Sequence, residues 1–373
     1  MYLSLISGII KRKIGKEVIA VKIVVLGGGL STERHVSLCT ATSVCRGLRE
    51  LGHKAIFVDM YLGLEDYEGP LEQAFEAEDG FCGHAAIDKV EPDLAAVVAS
   101  RKFKSPSRLG KNVLELCSLA DCVFLGLHGE DGEDGKIQAT LELLGVPYTG
   151  SGHLGSAMAM DKAVAKRVME GAGILTPKWC EIIYSEEDIP RLREELEVPC
   201  VIKAVCGGSS IGVAIADTAD ELEKALLEVL RFDNRAVVEQ KIEGREMTVP
   251  VLGERYLDAI EIVPPNGGTF DYVAKYQSGD EGAREICPAR ISPEEHKLMG
   301  EAALKFHKAL GLRAYSRTDF ILDKEGRAWC LEVNTLPGMT ANSLIPKAAK
   351  VDGMTYPQLC GEIVRLSMEK NDK

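Results

Sequence analysis

Arg317, Asp319, Glu332 and Asn334 lie in the stretch YSRTDFILDKEGRAWCLEVN, residues 315–334, where two runs of strand formers flank Asp323-Lys324-Glu325-Gly326. That tetrapeptide is a turn signal, and a hairpin closed over it sets Arg317 opposite Glu332 and Tyr315 opposite Asn334. Strand side chains alternate between faces, so Arg317, Asp319, Glu332 and Asn334 share one face. Phe320, Trp329, Leu331 and Val333 take the other, the natural core face. Two carboxylates, an amide and a guanidinium side by side suit hard-cation chemistry. Mg²⁺ prefers oxygen ligands, takes one or two carboxylates from a protein, and completes its octahedron with phosphates and waters. Asp319, Glu332 and Asn334 meet that need, and Glu332 could bridge two ions. Solvated strands also carry charges, so the hairpin alone leaves both readings open.

The loops elsewhere supply what a metal–phosphate cluster requires. In VIKAVCGGSSIGVAI, 201–215, Lys203 ends one strand and a Gly/Ser run leads to the next. Backbone N–H groups and the hydroxyls of Ser209 and Ser210 can cradle phosphates there, with Lys203 as a point charge. No Walker lysine follows the glycines. In FDYVAKYQSGDEGAREICPA, 270–289, Lys275 and Tyr276 precede a charged, glycine-rich segment with the composition of a lid; a surface excursion is the plain alternative. LGGGLSTERHVS, 26–37, lacks the third glycine of a dinucleotide fingerprint, and its Glu33 either caps the next helix or faces a ligand. LHGEDGEDGKIQ, 127–138, with His128 and Glu133, is either a polar turn or a loop that orients a cationic group.

The elements that must hold these loops alternate strand and helix from Val21 onward. KIVVLGGG, KAIFVDM and DCVFLGLHG read as buried strands, with a helix over HVSLCTATSVCRGLRELG and another over KIQATLELLG. This is an open α/β domain with functional loops at the strands' C-terminal ends. Residues 61–115 read only as helix and loop. PCVIKAV and VAIAD form strands around the glycine loop, a helix is expected near 218–231, and AVVEQKI is a further strand. A chain of 373 residues exceeds one ordinary core. Hydrophobic content of 46% with 27% charged residues describes a globular protein, and a formal charge of −13 argues against nucleic acid or an anionic membrane as partner. The 11 cysteines are scattered, mostly in apolar runs, which fits reduced thiols in a cytoplasmic protein better than a disulfide frame or a zinc site. MYLSLISGIIKRKIGKEVIA puts its basic cluster after a short apolar run, the reverse of a secretory signal. Residues 1–20 are therefore expected to lie outside the fold, as a misassigned start would produce.

The order GGGLSTERHVS, HGEDGEDGKIQATLELLGVPYTGSG, AMDKAVAKRVMEGAGILTP, KAVCGGSSIGV, FDYVAKY, RTDF and LEVNTLPGMTANSLIP resembles the D-alanine–D-alanine ligase family of the ATP-grasp superfamily. The resemblance covers the chain from about Lys22 to the C-terminus. It implies three domains: 21–150, an open parallel-sheet domain; 151–238, a central ATP-grasp subdomain; and 239–373, a C-terminal subdomain of α+β type. It also implies that Lys162, Lys203 and Lys275 contact ATP phosphates, joined by Ser209, Ser210 and Asn334. Glu239, Gln240 and Ile242 would hold the adenine and Glu246 the ribose. Asp319, Glu332 and Asn334 would bind two Mg²⁺ ions, with Mn²⁺ as the other ion of choice. Glu33 would hold the first substrate's ammonium in a set with Ser209 and Tyr276. His128 and Glu133 are assigned to substrate, Ser343 and Leu344 to the second substrate's carboxylate, and Arg317 with the Gly338 N–H to the acyl phosphate and the oxyanion. Ala204 stands where the family commonly has proline, and 61–115 matches no family segment.

The expected activity is ATP-dependent ligation of two D-alanines for peptidoglycan precursors, in the cytoplasm, with a homodimer as one arrangement open to it. A D-lactate- or D-serine-adding ligase, another ATP-grasp ligase, or a nucleotide-binding module without catalysis are the rival readings. Lid acids Asp280, Glu281 and Glu285, with no histidine, favour an amine as the second nucleophile.

Overall fold

The computed structural model describes residues 20–83, 92–208, 212–264 and 283–369. Nearly all of the 1–20 segment therefore lies outside the described residues.

Three sheets organise the chain. β1 (Lys22–Gly27), β2 (Lys54–Asp59) and β3 (Cys122–Leu125) form a parallel sheet in the order β2-β1-β3. Their continuous apolar runs are what parallel strands covered on both faces need. The helix Arg34–Glu50 lies against this sheet and is crossed by the last helix, Tyr356–Glu369. Glycines let the crossing close: a Cβ on Gly47 would meet the Tyr356 ring at 3.1 Å, and one on Gly361 would meet Leu51 at 2.7 Å. The C-terminal helices thus complete the N-terminal core, where Leu344, Ile345, Leu359 and Ile363 join Ile23, Val25 and Phe124.

A second, antiparallel sheet contains β4 (Trp179–Ile183), β5 (Cys200–Ala204), β6 (Val213–Ala216) and β7 (Arg235–Gln240), in the order β4-β7-β5-β6. It packs under the helix Ala219–Leu230, whose start is legible as a capping box: Thr218 accepts from the Glu221 N–H at 3.3 Å, and Glu221 accepts from the Thr218 N–H at 3.1 Å. The third sheet holds β8 (Arg245–Leu252), β9 (Arg255–Tyr256), β10 (Ile260–Val263), β11 (Arg284–Ile286), β12 (Tyr315–Leu322) and β13 (Ala328–Asn334), with β11-β10-β8-β12-β13 as its main path. Its core takes residues from the helices Pro293–Ala309 and Lys162–Gly171, including Phe306, Ala165 and Met169.

The expectation of reduced cysteines needs a correction. Cys45 and Cys82 are joined as a disulfide, with Cα atoms 6.6 Å apart. Arg49 draws the segment that leads to Cys82 onto the helix through the Ala77 and Glu78 carbonyls at 2.9 and 2.7 Å, an approach that sequence spacing does not reveal. The other described cysteines are not joined in disulfides.

Candidate active site

The β12–β13 hairpin forms, but in a different register from the one its turn implies. Arg317 lies opposite Asn334 and Asp319 opposite Glu332, whereas beyond a bulge Phe320 faces Cys330 and Leu322 faces Ala328. Two causes add. The connection is one residue longer than a simple tetrapeptide turn, because Asp323 gathers the Glu325 and Arg327 N–H groups at 3.0 and 2.8 Å and Gly326 takes φ +76°. Leu331 is then the extra residue that the bulge inserts. Together the shifts move the polar end by two residues, and an even shift preserves the face. Arg317, Asp319, Glu332 and Asn334 remain together. On the apolar side the bulge changes the membership: Phe320, Cys330 and Val333 enter the core, while Trp329 and Leu331 are only half-buried.

Asp319 is the hub of this face. Arg317 donates Nε to Oδ1 and Nη2 to Oδ2, both at 3.1 Å. Thr248 of β8 donates to Oδ1 at 2.5 Å and Asn334 Nδ2 to Oδ2 at 3.0 Å. Among the described residues no three His, Cys, Asp or Glu side chains gather as a metal cluster. Two carboxylates and an amide suit a cation whose remaining ligands are phosphate and water, because the Asn334 nitrogen faces Asp319 and its oxygen is left for an ion. The donor set therefore fits Mg²⁺.

Lys203 points at Glu239, with Nζ 2.9 Å from Oε2. A second lysine, Lys166, reaches the other oxygen at 3.0 Å. All three side chains are buried. Burial opposes charge on Lys203, but Glu239, Glu332 and Glu246 nearby hold its ammonium above the ordinary value. Burial likewise acts against the Glu239 carboxylate, and the two lysines hold it below. Lys166 was not among the expected site residues. Its signal was present: it lies one turn after Lys162 on the Lys162–Gly171 helix, on the face with Ala163 and Met169. Asp161 caps that helix through the Val164 N–H at 2.9 Å, and Lys162 donates to the Gly207 carbonyl at 2.7 Å, at the start of the glycine loop. Gln240 is exposed at the end of β7; Ile242 and Glu246 are half-buried just beyond. Ser209, Ser210, Lys275 and Tyr276 lie outside the described residues, as do Asp280 and Glu281. The described end of the expected lid is anchored: β11 pairs with β10, and Glu285 forms an ion pair with Lys347.

Glu33 occupies the N-cap position of Arg34–Glu50 but makes no side-chain cap bond. Its carboxylate sits between two glycine loops, since Oε2 would lie 2.9 Å from a Cβ on Gly129 and 3.0 Å from one on Gly208. The loop that carries it is braced by Arg34, which pairs with Asp59 at 2.5 Å and donates to the Gly29 carbonyl at 2.5 Å. Asp131 accepts from the Leu30 N–H and pairs with Arg108.

His128 is buried beside Glu33, and both its ring nitrogens are engaged. Nδ1 is 2.9 Å from the Leu336 carbonyl, which can only accept, so Nδ1 carries the hydrogen. The Thr40 hydroxyl, 3.0 Å from Nε2, then donates to it. Burial holds the imidazole below its usual pKa, helped by Arg317 and opposed by Glu33 and the Leu336 bond. His128 thus acts as a neutral strut between the helix that carries Thr40 and the loop after β13. Glu133 braces the same loop by accepting from the Thr335 and Leu336 N–H groups at 3.2 and 3.0 Å. Burial and the Glu33 charge push its carboxyl up to about 7. Further along, a Cβ on Gly338 would lie 3.0 Å from Ser343 Oγ, which also accepts from the Thr340 N–H at 3.0 Å. Leu344 opens the next helix with its side chain in the core.

Two family models match this chain. One, described as D-ala D-ala ligase N-terminus, covers residues 22–151; the other, D-ala D-ala ligase C-terminus, covers 168–365. The chain belongs to the D-alanine–D-alanine ligase family. It is a ligase built on the ATP-grasp fold. D-alanine–D-alanine ligase of Pediococcus pentosaceus is 39% identical over 347 residues, which is 92% of this chain and 96% of that relative. The Aquifex aeolicus ligase is 36% identical over 343 residues, 92% and 99% of the two chains. Among solved structures, D-alanine–D-alanine ligase from Bacillus anthracis complexed with ATP superposes with a TM-score of 0.67 at 27% identity, covering 94% of this chain and 98% of that one. VanG D-Ala:D-Ser ligase from Enterococcus faecalis superposes at 0.71 with 30% identity, covering 93% and 99%. No helix among the described residues of this ligase is long and apolar enough to cross a membrane.

Proposed function

We propose that this ligase uses ATP to join two molecules of D-alanine into D-alanyl-D-alanine, in the cytoplasm, for peptidoglycan precursors. The observation that carries the reading is the setting of Glu33. Its carboxylate, which does not cap the helix, stands where the loop at Gly129 and the glycine flap at Gly208 both approach it. A carboxylate there holds an ammonium beside a phosphate-binding flap, which is the pairing that activation of an amino acid requires.

The residues divide the work. Glu33 fixes the first D-alanine, with Ser209 and Tyr276 in its set. Lys162, Lys203 and Lys275 neutralise phosphate oxygens, Glu239 through Ile242 flank the adenine, and Glu246 takes the ribose. Asp319, Glu332 and Asn334 would hold two Mg²⁺ ions, which when bound spread the charge of the triphosphate. Arg317, aimed along the hairpin face, stabilises the acyl phosphate of the first substrate. The second D-alanine, its ammonium deprotonated, then attacks that carbonyl through its amine; Arg317 with the Gly338 N–H stabilises the oxyanion, whose collapse forms the amide and expels inorganic phosphate. Ser343 and Leu344 receive the second carboxylate. An acyl phosphate hydrolyses in open water, so the segment beginning at Tyr276 must cover it.

Product mass spectrometry with ATP, Mg²⁺ and a panel of D-amino and D-hydroxy acids tests this. D-Alanyl-D-alanine as the dominant product, formed with stoichiometric ADP, is expected at neutral pH. A mostly D-seryl or D-lactyl product would move the chain to the rival specificity.

A further inference from the structure

We propose that Lys166 is a positioning residue for the nucleotide: through Glu239 it holds Lys203 in place and keeps its positive charge available to phosphate. The inference rests on the reading of Lys203 as a phosphate-binding group.

Lys166 is only 1% exposed, on a helix face otherwise apolar. Its Nζ lies 3.0 Å from Glu239 Oε1 and donates to the Thr176 hydroxyl at 2.6 Å. That hydroxyl has one hydrogen, which goes to the Cys330 carbonyl of β13 at 2.8 Å. Glu239 Oε2 takes Lys203 at 2.9 Å. One ammonium thus links the helix that begins at Lys162, the strand that ends at Gln240, and the back of the hairpin that carries Glu332.

Packing does not explain a lysine here. Methionine would fill the same space without desolvating a charge, and buried charges are retained at a cost. The arithmetic of charge does explain it. Glu239 with Lys203 alone is a neutral pair, in which the carboxylate absorbs the attraction that an anion should feel. Burial and Lys203 pull the Lys166 pKa down and Glu239 opposes them; with its ammonium charged, two lysines on one carboxylate leave this trio a net charge of about +1. Lys203 is then pinned by Glu239 yet still cationic toward a phosphate. Thr176 sets the direction of the Lys166 head, because its own hydrogen is committed to Cys330 and its lone pairs face the ammonium.

The test is affinity for a non-hydrolysable ATP analogue with Mg²⁺, measured by calorimetry, beside steady-state KM values for ATP and D-alanine. Lys166→Met should weaken nucleotide binding by about tenfold or more and leave the D-alanine KM within about twofold. The double variant Lys166→Met/Glu239→Gln should bind nucleotide no worse than Glu239→Gln, since removing Lys166 matters only through the carboxylate. Losses that simply add, or a Lys166→Met protein with wild-type nucleotide affinity, overturn the proposal. If Lys166→Met does not fold, Thr176→Val decides: it should weaken nucleotide binding by about threefold, and unchanged affinity would refute the coupling. Wild-type protein that binds no nucleotide would instead overturn the reading of Lys203 itself.

Discussion

Arg317 grips Asp319 with two parallel bonds, Nε to Oδ1 and Nη2 to Oδ2 at 3.1 Å, from a position two residues earlier on the same strand. A guanidinium assigned to reaction intermediates and a carboxylate assigned to a metal are therefore mechanically one unit. Asp319→Asn keeps the shape and one acceptor but loses the charge. It should cut turnover by about 10²-fold or more, as should Glu332→Gln, with the melting curve little changed. ADP release in a coupled assay with Mg²⁺, read beside circular dichroism, checks both. Near-normal activity in either variant would sink the metal assignment.

The second prediction concerns space around Glu33. An alanine at 208 brings a Cβ to 3.0 Å from Glu33 Oε2, a gap the carboxylate must open by moving. Gly208→Ala should raise the D-alanine KM by about tenfold through displacement of that carboxylate, with stability nearly unchanged because no left-handed backbone is involved there. Gly129→Ala crowds the same oxygen at 2.9 Å and also strains a residue at φ +68°, so it should lose stability as well. Initial rates over a D-alanine series, with thermal melts of both proteins, separate the two effects.

Glu133 makes stability depend on pH. Its folded pKa is raised to about 7 from an ordinary 4.5, so the folded state binds this proton more tightly than the unfolded chain. The contribution is fully present below the unfolded pKa and is lost as pH rises through the folded one, at most on the order of 3 kcal/mol. Glu133→Gln keeps an oxygen for the Thr335 and Leu336 N–H groups and removes the titration. The melting temperature of the variant, relative to wild type, should therefore improve as pH rises through this window. Parallel profiles for the two proteins would contradict the assignment.

Thr40 tests the neutral strut. Thr40→Val leaves His128 Nε2 without its donor, which should lower stability by about 1–3 kcal/mol and loosen the Leu336 loop that leads to Gly338. For His128 the folded pKa is depressed below 6.5, so its contribution is present above that value and is lost as pH falls through the folded one. Acid melts of wild type should steepen accordingly, and His128→Gln should flatten that limb by removing the buried group that titrates. An unchanged acid limb in that variant would mean that another group titrates there.

The sequence by itself determined the elements and their chemistry. Apolar runs ending in glycine specified the parallel strands, the Thr218 and Glu221 pair specified a helix start, and alternation placed Arg317, Asp319, Glu332 and Asn334 on one face. These are local rules, settled by neighbours along the chain. Only the tertiary structure decided the rest. The hairpin register depended on how Asp323 gathers its turn and on a bulge at Leu331, neither of which alternation records. Cys45 and Cys82 met because Arg49 pulls a distant loop onto its helix. His128 also braces the loop beyond β13, since the Leu336 carbonyl arrives at its ring from far along the chain. Lys166 looked like one more helix lysine until Glu239, from another strand, gave its charge a partner. In each case the partner is remote in sequence, and the side chain's role follows from what burial brings beside it rather than from its own type.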